Sequence, residues 1–399
     1  MSSAPPDASG PLGTPGGVEH PKGWDSGDLP LPDPTGLSML PDADAQDWGS
    51  QMRNAVRSVQ GLDAKLRLSA DELAGALAAE HAGLPISVTP YYLSLCDPHD
   101  LECPIRKQVV PHALEGKVVE GDLRDPLGEE AHEVAPELIQ RYPDRALLLA
   151  TDRCAIYCRF CTRSRIVGSG GGPRSELRLM PAFAYLRAHP EIRDVIVSGG
   201  DPLAMSTNRI VRIVQALRYI PSVETIRIAT RMPVALPQRI THELVQALRP
   251  FHPIWIMTHF NHPKELTQAA REGLRRLVDA GFPVMNHTVL LRGVNDDSKV
   301  LSELFRGLVR ERAKPYYLLQ TDPVRGTSHL RTPLDTGLRI MSELQGRLSG
   351  IALPKFIVDT PGGLGKVPVS PNYIVSRGMG VTRFRTHRGV EVDYFDPPG

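Results

Sequence analysis

From Arg145 onward the chain alternates between short, continuously apolar runs and amphipathic stretches, and this alternation constrains its fold more than any other feature. Such runs are typical of strands buried in a parallel sheet, and the amphipathic stretches are typical of the helices that cover it. Six βα units are fewer than the eight that close a full barrel, so we expect an α/β fold with an open, partial (βα)6 barrel. The predicted strands are 146–150, 195–198, 225–229, 254–258, 283–290 and 315–319, with helices at 181–188, 208–219, 237–248, 264–280 and 299–312, then a helical stretch at 336–348 and a strand-like run at 356–358.

The rest of the chain divides into three regions around this core, which we place at residues 140–351. Residues 1–45 are rich in Pro, Gly, Asp and Ser and lack periodicity, which predicts a disordered tail. Residues 46–139 predict a helical and irregular N-terminal extension, in which Ser69-Ala-Asp-Glu72 has the pattern of a capping box. Residues 352–399 form a C-terminal segment of mixed character.

Composition narrows the classes of partner that the chain can have. Its formal net charge of +1 argues against nucleic acid, because phosphate-binding proteins usually carry a basic excess. No run approaches the roughly 18 apolar residues that a membrane helix needs. The N-terminus also lacks the order of charged, apolar and small residues that marks a secretory signal. We therefore expect a cytoplasmic protein without a membrane partner.

Three of the five cysteines, Cys154, Cys158 and Cys161, lie close together directly after the first predicted strand. Thiolates at this spacing can bind three irons of a cubane cluster and leave the fourth iron open, unlike the four-cysteine runs of ferredoxins. A zinc site would need a fourth ligand, and no Cys or suitable His is near in the sequence. We therefore predict an iron–sulfur site. Cys96 and Cys103 match no metal spacing and are interpreted as ordinary reduced thiols.

Further polar residues follow the other predicted strands. In parallel α/β folds, ligands bind at the carboxyl ends of the strands. The segment Gly199-Gly200-Asp201, the pair Thr230-Arg231, His259 and Asp322 all hold such positions. We therefore expect them to share one site with the cysteines, and we count His259 among the cofactor-binding residues.

The cysteine pattern resembles that of the radical S-adenosylmethionine superfamily, over roughly residues 140–350. This resemblance implies a [4Fe–4S] cluster whose open iron binds S-adenosylmethionine, which is then cleaved to a 5′-deoxyadenosyl radical. It also implies that Phe160 lies against the adenine and that Gly199, Gly200 and Asp201 lie near the methionyl amino group. Taken alone, the Gly-Gly-Asp-Pro segment is equally well explained as a tight turn.

A second chemical feature is the glycine-rich segment Asp359-Thr-Pro-Gly-Gly-Leu-Gly-Lys366. It is not a phosphate-binding P-loop, because Thr360 and Val367 occupy the positions that this motif reserves for Gly and for Ser or Thr. By itself the segment is either a surface loop with an exposed lysine or a loop that holds a lysine bonded to a cofactor.

Six motifs together resemble the lysine 2,3-aminomutase family, over about residues 48–373. The resemblance implies that Lys366 carries pyridoxal phosphate and that Arg141, Tyr142 and Arg145 lie around this cofactor, where arginines suit its phosphate. The motifs are Tyr91-Tyr-Leu-Ser-Leu, Arg141-Tyr-Pro-Asp-Arg145, Cys158-Arg-Phe-Cys-Thr-Arg163, Thr258-His-Phe-Asn-His-Pro, Leu291-Arg-Gly-Val-Asn-Asp296 and the Asp359–Lys366 segment.

The same resemblance implies an isomerase that acts on a basic amino acid. Arg163 matches the arginine that binds the substrate carboxylate, and Asp322 and Asp359 match two acidic residues that hold a distal ammonium. Two facing, buried carboxylates repel each other unless a cation lies between them. The expected reaction converts L-lysine to β-lysine by 1,2-amino migration. Arginine, or a lysine within a partner protein, is the alternative substrate, and we expect a flavodoxin- or ferredoxin-type electron donor and a homo-oligomer.

Some positions depart from the zinc-containing members of that family. No cysteine follows Cys161, and Asp297 stands where an internal zinc-binding cysteine would fall, so we do not expect a zinc-bridged assembly. Leu319 replaces an aromatic residue near the cofactor, and His287 replaces a glutamine. Two other classes stay open: an iron–sulfur sensor or electron carrier, and a radical enzyme without pyridoxal phosphate. Visible absorbance from bound pyridoxal phosphate would separate both from the aminomutase interpretation.

Overall fold

The computed structural model describes residues 43–82 and 84–397, and from Asp44 onward they belong to one compact unit. The tail predicted to be disordered lies outside the described residues up to position 42. The strands are β1 (Glu133–Ala135), β2 (Leu138–Tyr142), β3 (Arg145–Thr151), β4 (Asp194–Gly199), β5 (Thr225–Ala229), β6 (Ile254–Thr258), β7 (Val284–Leu290), β8 (Ala313–Gln320), β9 (Lys355–Thr360), β10 (Gly365–Pro368), β11 (Ile374–Gly378), β12 (Val381–Arg385) and β13 (Glu391–Phe395). The α-helices are α1 (Ala43–Arg53), α2 (Val59–Leu66), α3 (Ala70–Ala82), α4 (Pro90–Leu93), α5 (Glu176–Ala188), α6 (Thr207–Arg218), α7 (Met232–Ala235), α8 (His242–Leu248), α9 (Gln268–Asp279), α10 (Ser298–Arg310) and α11 (Leu334–Leu344).

The core is a sheet of ten strands whose spatial order follows the sequence from β1 to β10. Strands β3 to β9 are parallel to their neighbours, while β1, β2 and β10 are antiparallel at the two ends. Because this order is linear, the sheet is open, and the predicted partial barrel of six βα units is confirmed. The strand-like run at 356–358 is part of β9, a seventh parallel strand.

Helix α5 begins earlier than the sequence predicts. The sequence predicts a helix over about 181–188. In the structure Ser175 is the N-cap, and its hydroxyl accepts a hydrogen bond from the amide of Arg178 at 3.2 Å. Pro181 therefore lies inside the helix, where a proline is tolerated at the cost of one backbone hydrogen bond.

The N-terminal extension contains the capping box that the sequence predicts. The amide of Ser69 donates to Glu72 at 2.8 Å, and the amide of Glu72 donates to the Ser69 hydroxyl at 3.3 Å. The Glu72 carboxylate also accepts two hydrogen bonds of 2.7 Å from Arg106, which is fully buried. Val56 pairs with Val88 as an isolated bridge. The helical part of the extension is therefore interrupted between α1 and α2.

The extension packs against the carboxyl-terminal end of the sheet through its α4 region. The Thr89 hydroxyl donates to the carbonyl of Ala235 at 2.9 Å, and the Tyr92 hydroxyl donates to Glu265 at 2.7 Å. Both Tyr92 and Glu265 are completely buried. The extension therefore forms one wall of the region that follows strands β5 and β6.

The C-terminal segment adds structure that the sequence did not predict. Strand β10 forms a hairpin with β9, and β11 to β13 form a separate antiparallel sheet. This small sheet exposes Met379, Tyr394 and Phe395, so it lacks the buried face on which a periodicity argument depends. Among the described helices, none is long and apolar enough to cross a membrane.

Candidate active site

The three clustered cysteines follow β3 and lie at the carboxyl end of the parallel sheet. Cys154 and Cys158 line a cavity of about 200 Å³ that also reaches the ends of β4 to β7. Burial first, and then the neighbouring Cys158, raise the pKa of Cys161 to about 11. Burial likewise raises the pKa of Cys154 well above its usual range. Thiolates here need a positive partner, and a bound metal centre supplies one.

The described residues do not form a closed site for a single metal ion. Over residues 43–82 and 84–397, no three His, Cys, Asp or Glu side chains converge as ligands of one ion do. A four-coordinate zinc site requires such convergence. A cubane presents a separate iron to each thiolate, so its three ligands stand further apart.

Close backbone approach explains the two glycines that follow β4. Gly199 has a φ of +120°, and a Cβ there would meet the carbonyl oxygen of Thr151 at 2.2 Å. A Cβ on Gly200 would meet the carbonyl oxygen of Arg153 at 2.4 Å. The two glycines therefore let the β4 loop lie directly against the cysteine loop.

The Asp201 carboxylate accepts hydrogen bonds from its own loop and from a neighbouring loop. It accepts hydrogen bonds from the Thr230 hydroxyl at 2.7 Å, the Arg231 amide at 2.7 Å and the Leu203 amide at 3.0 Å. Burial raises its pKa to about 6, against the opposing effect of these donors. Asp201 therefore joins the loops after β4 and β5, and its backbone is paired as well, with the carbonyl of Arg153 at 2.7 Å and the amide of Ala204 at 2.9 Å.

Three buried polar atoms of the cavity wall find no hydrogen-bond partner among the described residues: Oγ1 of Thr258, Nε2 of His259 and Nε2 of His287. Burial holds the pKa of His259 well below its usual range and lowers that of His287 to about 3, so both rings are neutral. The ring of Phe160 meets His259 edge-on, with centroids 5.6 Å apart. A polar ligand with an aromatic ring fits such a wall, because unpartnered buried polar atoms are costly.

Arg163 lines the cavity and is paired with a residue that the sequence gave no reason to select. Its guanidinium donates to Glu129 at 2.8 Å and to the Ser198 hydroxyl at 3.1 Å. Burial alone would raise the pKa of Glu129, but Arg163 and then Arg165 bring it below its usual value. Because 34 residues separate Glu129 from Arg163, no local motif could have revealed this pair.

Lys366 lies directly opposite Asp359 in the β9–β10 hairpin, and its ammonium forms an ion pair with that carboxylate. Arg141 donates to the other oxygen of Asp359 at 2.8 Å and to the carbonyl of Gly363 at 3.4 Å. Burial raises the pKa of Asp359, but Lys366 and Arg141 outweigh burial and lower it overall. The predicted substrate residue Asp359 is therefore in contact with two of the predicted cofactor residues.

Tyr142 and Arg145 complete a second cluster of side chains, which consists of Arg141, Tyr142, Arg145, Asp359 and Lys366. The Tyr142 hydroxyl accepts a hydrogen bond from the Lys366 amide at 3.0 Å. The Arg145 guanidinium stacks on the Tyr142 ring, 3.9 Å from its centroid. Together with Arg141, these side chains bring two guanidinium groups and a phenol to the lysine, which is a suitable set of donors for a phosphate.

Asp322 follows β8 and lies close to the same cluster. Burial first, and then the Asp359 carboxylate, raise its pKa to about 7 against the opposing effect of Lys366 and Arg141. The repulsion expected between the two acids from the sequence is thus present and falls on Asp322. A cation placed beside Asp322 would therefore stabilise its carboxylate and reduce the repulsion from Asp359.

Two of the positions that depart from the family pattern, Asp297 and His287, make defined contacts in this structure. Asp297 caps α10 by accepting hydrogen bonds from the amides of Lys299 at 2.7 Å and Val300 at 3.2 Å. His287 stacks on Tyr317 with ring centroids 5.4 Å apart. Nothing in the structure explains Leu319.

An open parallel barrel with three cysteines after its first strand and two glycines after its second defines the class of this protein. The family model of the radical SAM superfamily matches residues 148–304. This class carries a [4Fe–4S] cluster and uses S-adenosylmethionine. A second model, described as Lysine-2,3-aminomutase, matches residues 341–399.

Comparison with known proteins gives the family. The chain is 46% identical to L-lysine 2,3-aminomutase of Clostridium subterminale, over 89% of this chain and 85% of the relative. It is 42% identical to the Bacillus subtilis enzyme of that name, over 90% and 76%, and 42% identical to glutamate 2,3-aminomutase of Clostridioides difficile, over 78% and 74%. The chain belongs to the lysine 2,3-aminomutase family and is an isomerase that acts on an amino acid. Because the relatives include a glutamate enzyme, membership alone does not assign the substrate.

Proposed function

We propose that this protein is a pyridoxal phosphate-dependent 2,3-aminomutase of a basic amino acid, with L-lysine as the first candidate and L-arginine as the second. The observation that carries the proposal is the pair Asp322 and Asp359 beside Lys366, where burial and mutual repulsion raise the pKa of Asp322 to about 7. A substrate cation would relieve that repulsion.

At the first cluster of residues, Cys154, Cys158 and Cys161 would each bind one iron of the [4Fe–4S] cluster. The backbone at Gly199 and Gly200 would receive the methionyl part of S-adenosylmethionine. The adenine would lie against Phe160 and within reach of His259, whose unpartnered Nε2 offers a hydrogen bond. Because the imidazole of His259 is neutral, it suits the uncharged adenine ring better than a protonated imidazole would.

At the second cluster, Lys366 would hold pyridoxal phosphate, with Arg141, Tyr142 and Arg145 around the phosphate. When bound, this cofactor supplies a conjugated ring that spreads an unpaired electron while the amino group moves between carbons. Binding requires Lys366 to leave its ion pair with Asp359. The Asp359 oxygen that Lys366 occupies here is then free to accept a different cation, while Arg141 donates to the other oxygen.

Substrate orientation would come from charges at both ends. Arg163 would pair with the α-carboxylate, and its present partner Glu129 would keep the guanidinium in place. Asp322 and Asp359 would hold the distal ammonium. A substrate fixed at both ends presents its β-carbon at one point, which favours reaction at that carbon over its neighbours.

The same charges argue against glutamate, even though one relative is a glutamate enzyme. A side-chain carboxylate would be a third negative charge next to Asp322 and Asp359. Like charges in one buried site are unfavourable unless a proton is taken up. The basic substrate is therefore the better fit to the residues present.

The test is to incubate anaerobically reduced, cluster-reconstituted enzyme separately with lysine, arginine, glutamate and a lysine-containing peptide. We expect a β-amino acid from lysine or arginine, identified by chromatography and mass spectrometry. A β-amino acid from glutamate alone would overturn the substrate proposal, and one from the peptide alone would assign a protein-bound substrate. Absorbance of bound pyridoxal phosphate in the isolated protein tests the cofactor independently.

Two partners complete the proposal. A cluster of this class needs one electron at a time, which a small flavodoxin or ferredoxin would deliver. We also propose a homo-oligomer, supported by the apolar side chains that the small C-terminal sheet exposes, among them Met379 and Phe395. Sedimentation of the purified protein measures that assembly directly.

A further inference from the structure

The buried arginine that follows β5 touches a predicted cluster ligand. Arg231 is 8% exposed, and its Nη1 donates to Sγ of Cys158 at 2.7 Å. The guanidinium also lies over the ring of Phe160, 5.3 Å from the centroid. Of the arginine side chains in the described part of the chain, only that of Arg231 donates a hydrogen bond to a cysteine of the cluster loop.

A set of buried partners holds Arg231 in this orientation. Its Nη2 donates to Gln108 at 2.5 Å and to Glu265 at 2.9 Å, and its Nε donates to the carbonyl of His259 at 3.2 Å. Tyr92 lies 3.4 Å from the same Nη2. Because the other nitrogens are occupied, Nη1 is directed to the sulfur and has little freedom to turn away.

The chain contains a matched arginine whose role is to hold loops only. Arg239 is also fully buried, and it donates to the carbonyls of Leu203 at 2.8 Å and Met205 at 3.0 Å. Its remaining partner is the Thr207 hydroxyl at 3.4 Å. Arg239 thus donates mainly to backbone carbonyls, as an arginine with a purely structural role does, whereas Arg231 donates one hydrogen bond to a cysteine sulfur.

We propose that Arg231 is a positioning residue that raises the reduction potential of the iron–sulfur cluster by donating a hydrogen bond to the Cys158 thiolate. The inference rests on the proposed ligation of the cluster by that cysteine. Hydrogen bonds to cluster sulfurs and nearby net charge are among the features that set such potentials. Adding an electron makes the cluster more negative, so a donor aimed at its sulfur stabilises the reduced form more than the oxidised form.

The test is an EPR-monitored redox titration of reconstituted protein without S-adenosylmethionine, for wild type, Arg231→Gln, Arg231→Lys and the control Arg239→Gln. At the wild-type midpoint, we expect the ratio of reduced to oxidised cluster to fall roughly tenfold in Arg231→Gln, which corresponds to about 59 mV for one electron. In Arg231→Lys the same ratio should fall about threefold, because the ammonium of the shorter lysine side chain cannot donate to both Glu265 and the sulfur. Arg239→Gln should stay within about twofold of wild type.

Iron content separates this inference from the proposed function. Wild-type protein that fails to bind a [4Fe–4S] cluster would overturn the ligation itself. Arg231→Gln with full iron and an unchanged ratio would overturn the role of Arg231 alone, and weaker binding of S-adenosylmethionine in that variant would then assign the arginine to that ligand. If Arg231→Gln does not retain iron, Arg231→Lys decides, and a wild-type ratio in it contradicts the proposal.

Discussion

Replacing Asp322 with Asn should change both the activity and the stability of this protein, in opposite directions. The pKa of Asp322 is raised to about 7, so the free enzyme gains the carboxylate that holds the substrate cation as the pH rises through 7. In wild type, kcat/KM for a basic amino acid should therefore be about tenfold lower at pH 6 than at its plateau above pH 8.

In Asp322→Asn this step near pH 7 should vanish. The plateau should also fall, because removing one partner of a buried charge pair costs about 2–5 kcal/mol, or roughly 30- to several-thousand-fold in kcat/KM. The exposed Asp335 on α11 provides a matched control, and Asp335→Asn should keep the wild-type profile within about twofold. Wild-type kcat/KM in Asp322→Asn, or a step that persists at pH 7, would refute the assignment.

Stability supplies the second measurement for the same variant. A carboxyl whose folded-state pKa exceeds its unfolded value near 4 stabilises the fold below that value, and the stabilisation is lost as the pH rises to 7. Above pH 7, ligand-free Asp322→Asn should therefore unfold with a free energy higher than that of wild type, on the order of 2 kcal/mol. Urea titrations at pH 5 and pH 8 would show whether the gain is confined to the higher pH.

Other replacements test other parts of the molecule. Cys158→Ala should lose most bound iron after anaerobic reconstitution, while Cys96→Ala, outside the cluster loop, should keep it; equal iron in both would contradict the ligation. Lys366→Ala should lose the cofactor mass that borohydride fixes to this lysine in wild type, without losing iron, as peptide mass spectrometry would show. Arg106→Met should lower the free energy of unfolding by about 3–5 kcal/mol, because it leaves Glu72 buried and unpaired, and adding Glu72→Gln should recover much of that loss in urea titrations.

The parallel core was predictable because its signal is local. Strands such as β3, β4 and β6 are apolar runs, and the residues that follow the parallel strands meet at one end of the sheet as the fold class requires. The start of α5 was predicted five residues late, at Pro181 instead of Glu176, because the first turn of the helix is largely exposed and adds little periodicity. The sheet of β11 to β13 gave no signal, since its apolar side chains are largely exposed.

The sequence was less informative about partners within the site. Resemblance to the aminomutase family selected Arg163, Asp359 and Lys366, but not the contacts that they make. The pairing of Arg163 with Glu129 spans 34 residues, and that of Arg231 with Cys158 spans 73. Such pairs depend on how loops from different strands come together, and no periodicity within one segment encodes that. Asp359 is the clearest case, because the hairpin register that joins it to Lys366 is a tertiary fact.

The wall formed by Tyr92, Gln108 and Glu265 bears on whether the barrel is a separable module. Glu265 belongs to the barrel, but Tyr92 and Gln108, which also contact Arg231, belong to the N-terminal extension. A shortened chain that began at residue 140 would keep all three cluster cysteines and yet open Arg231 to water on one side. A transfer of this barrel to another chain would therefore uncover the arginine beside the cysteine loop unless the extension came with it.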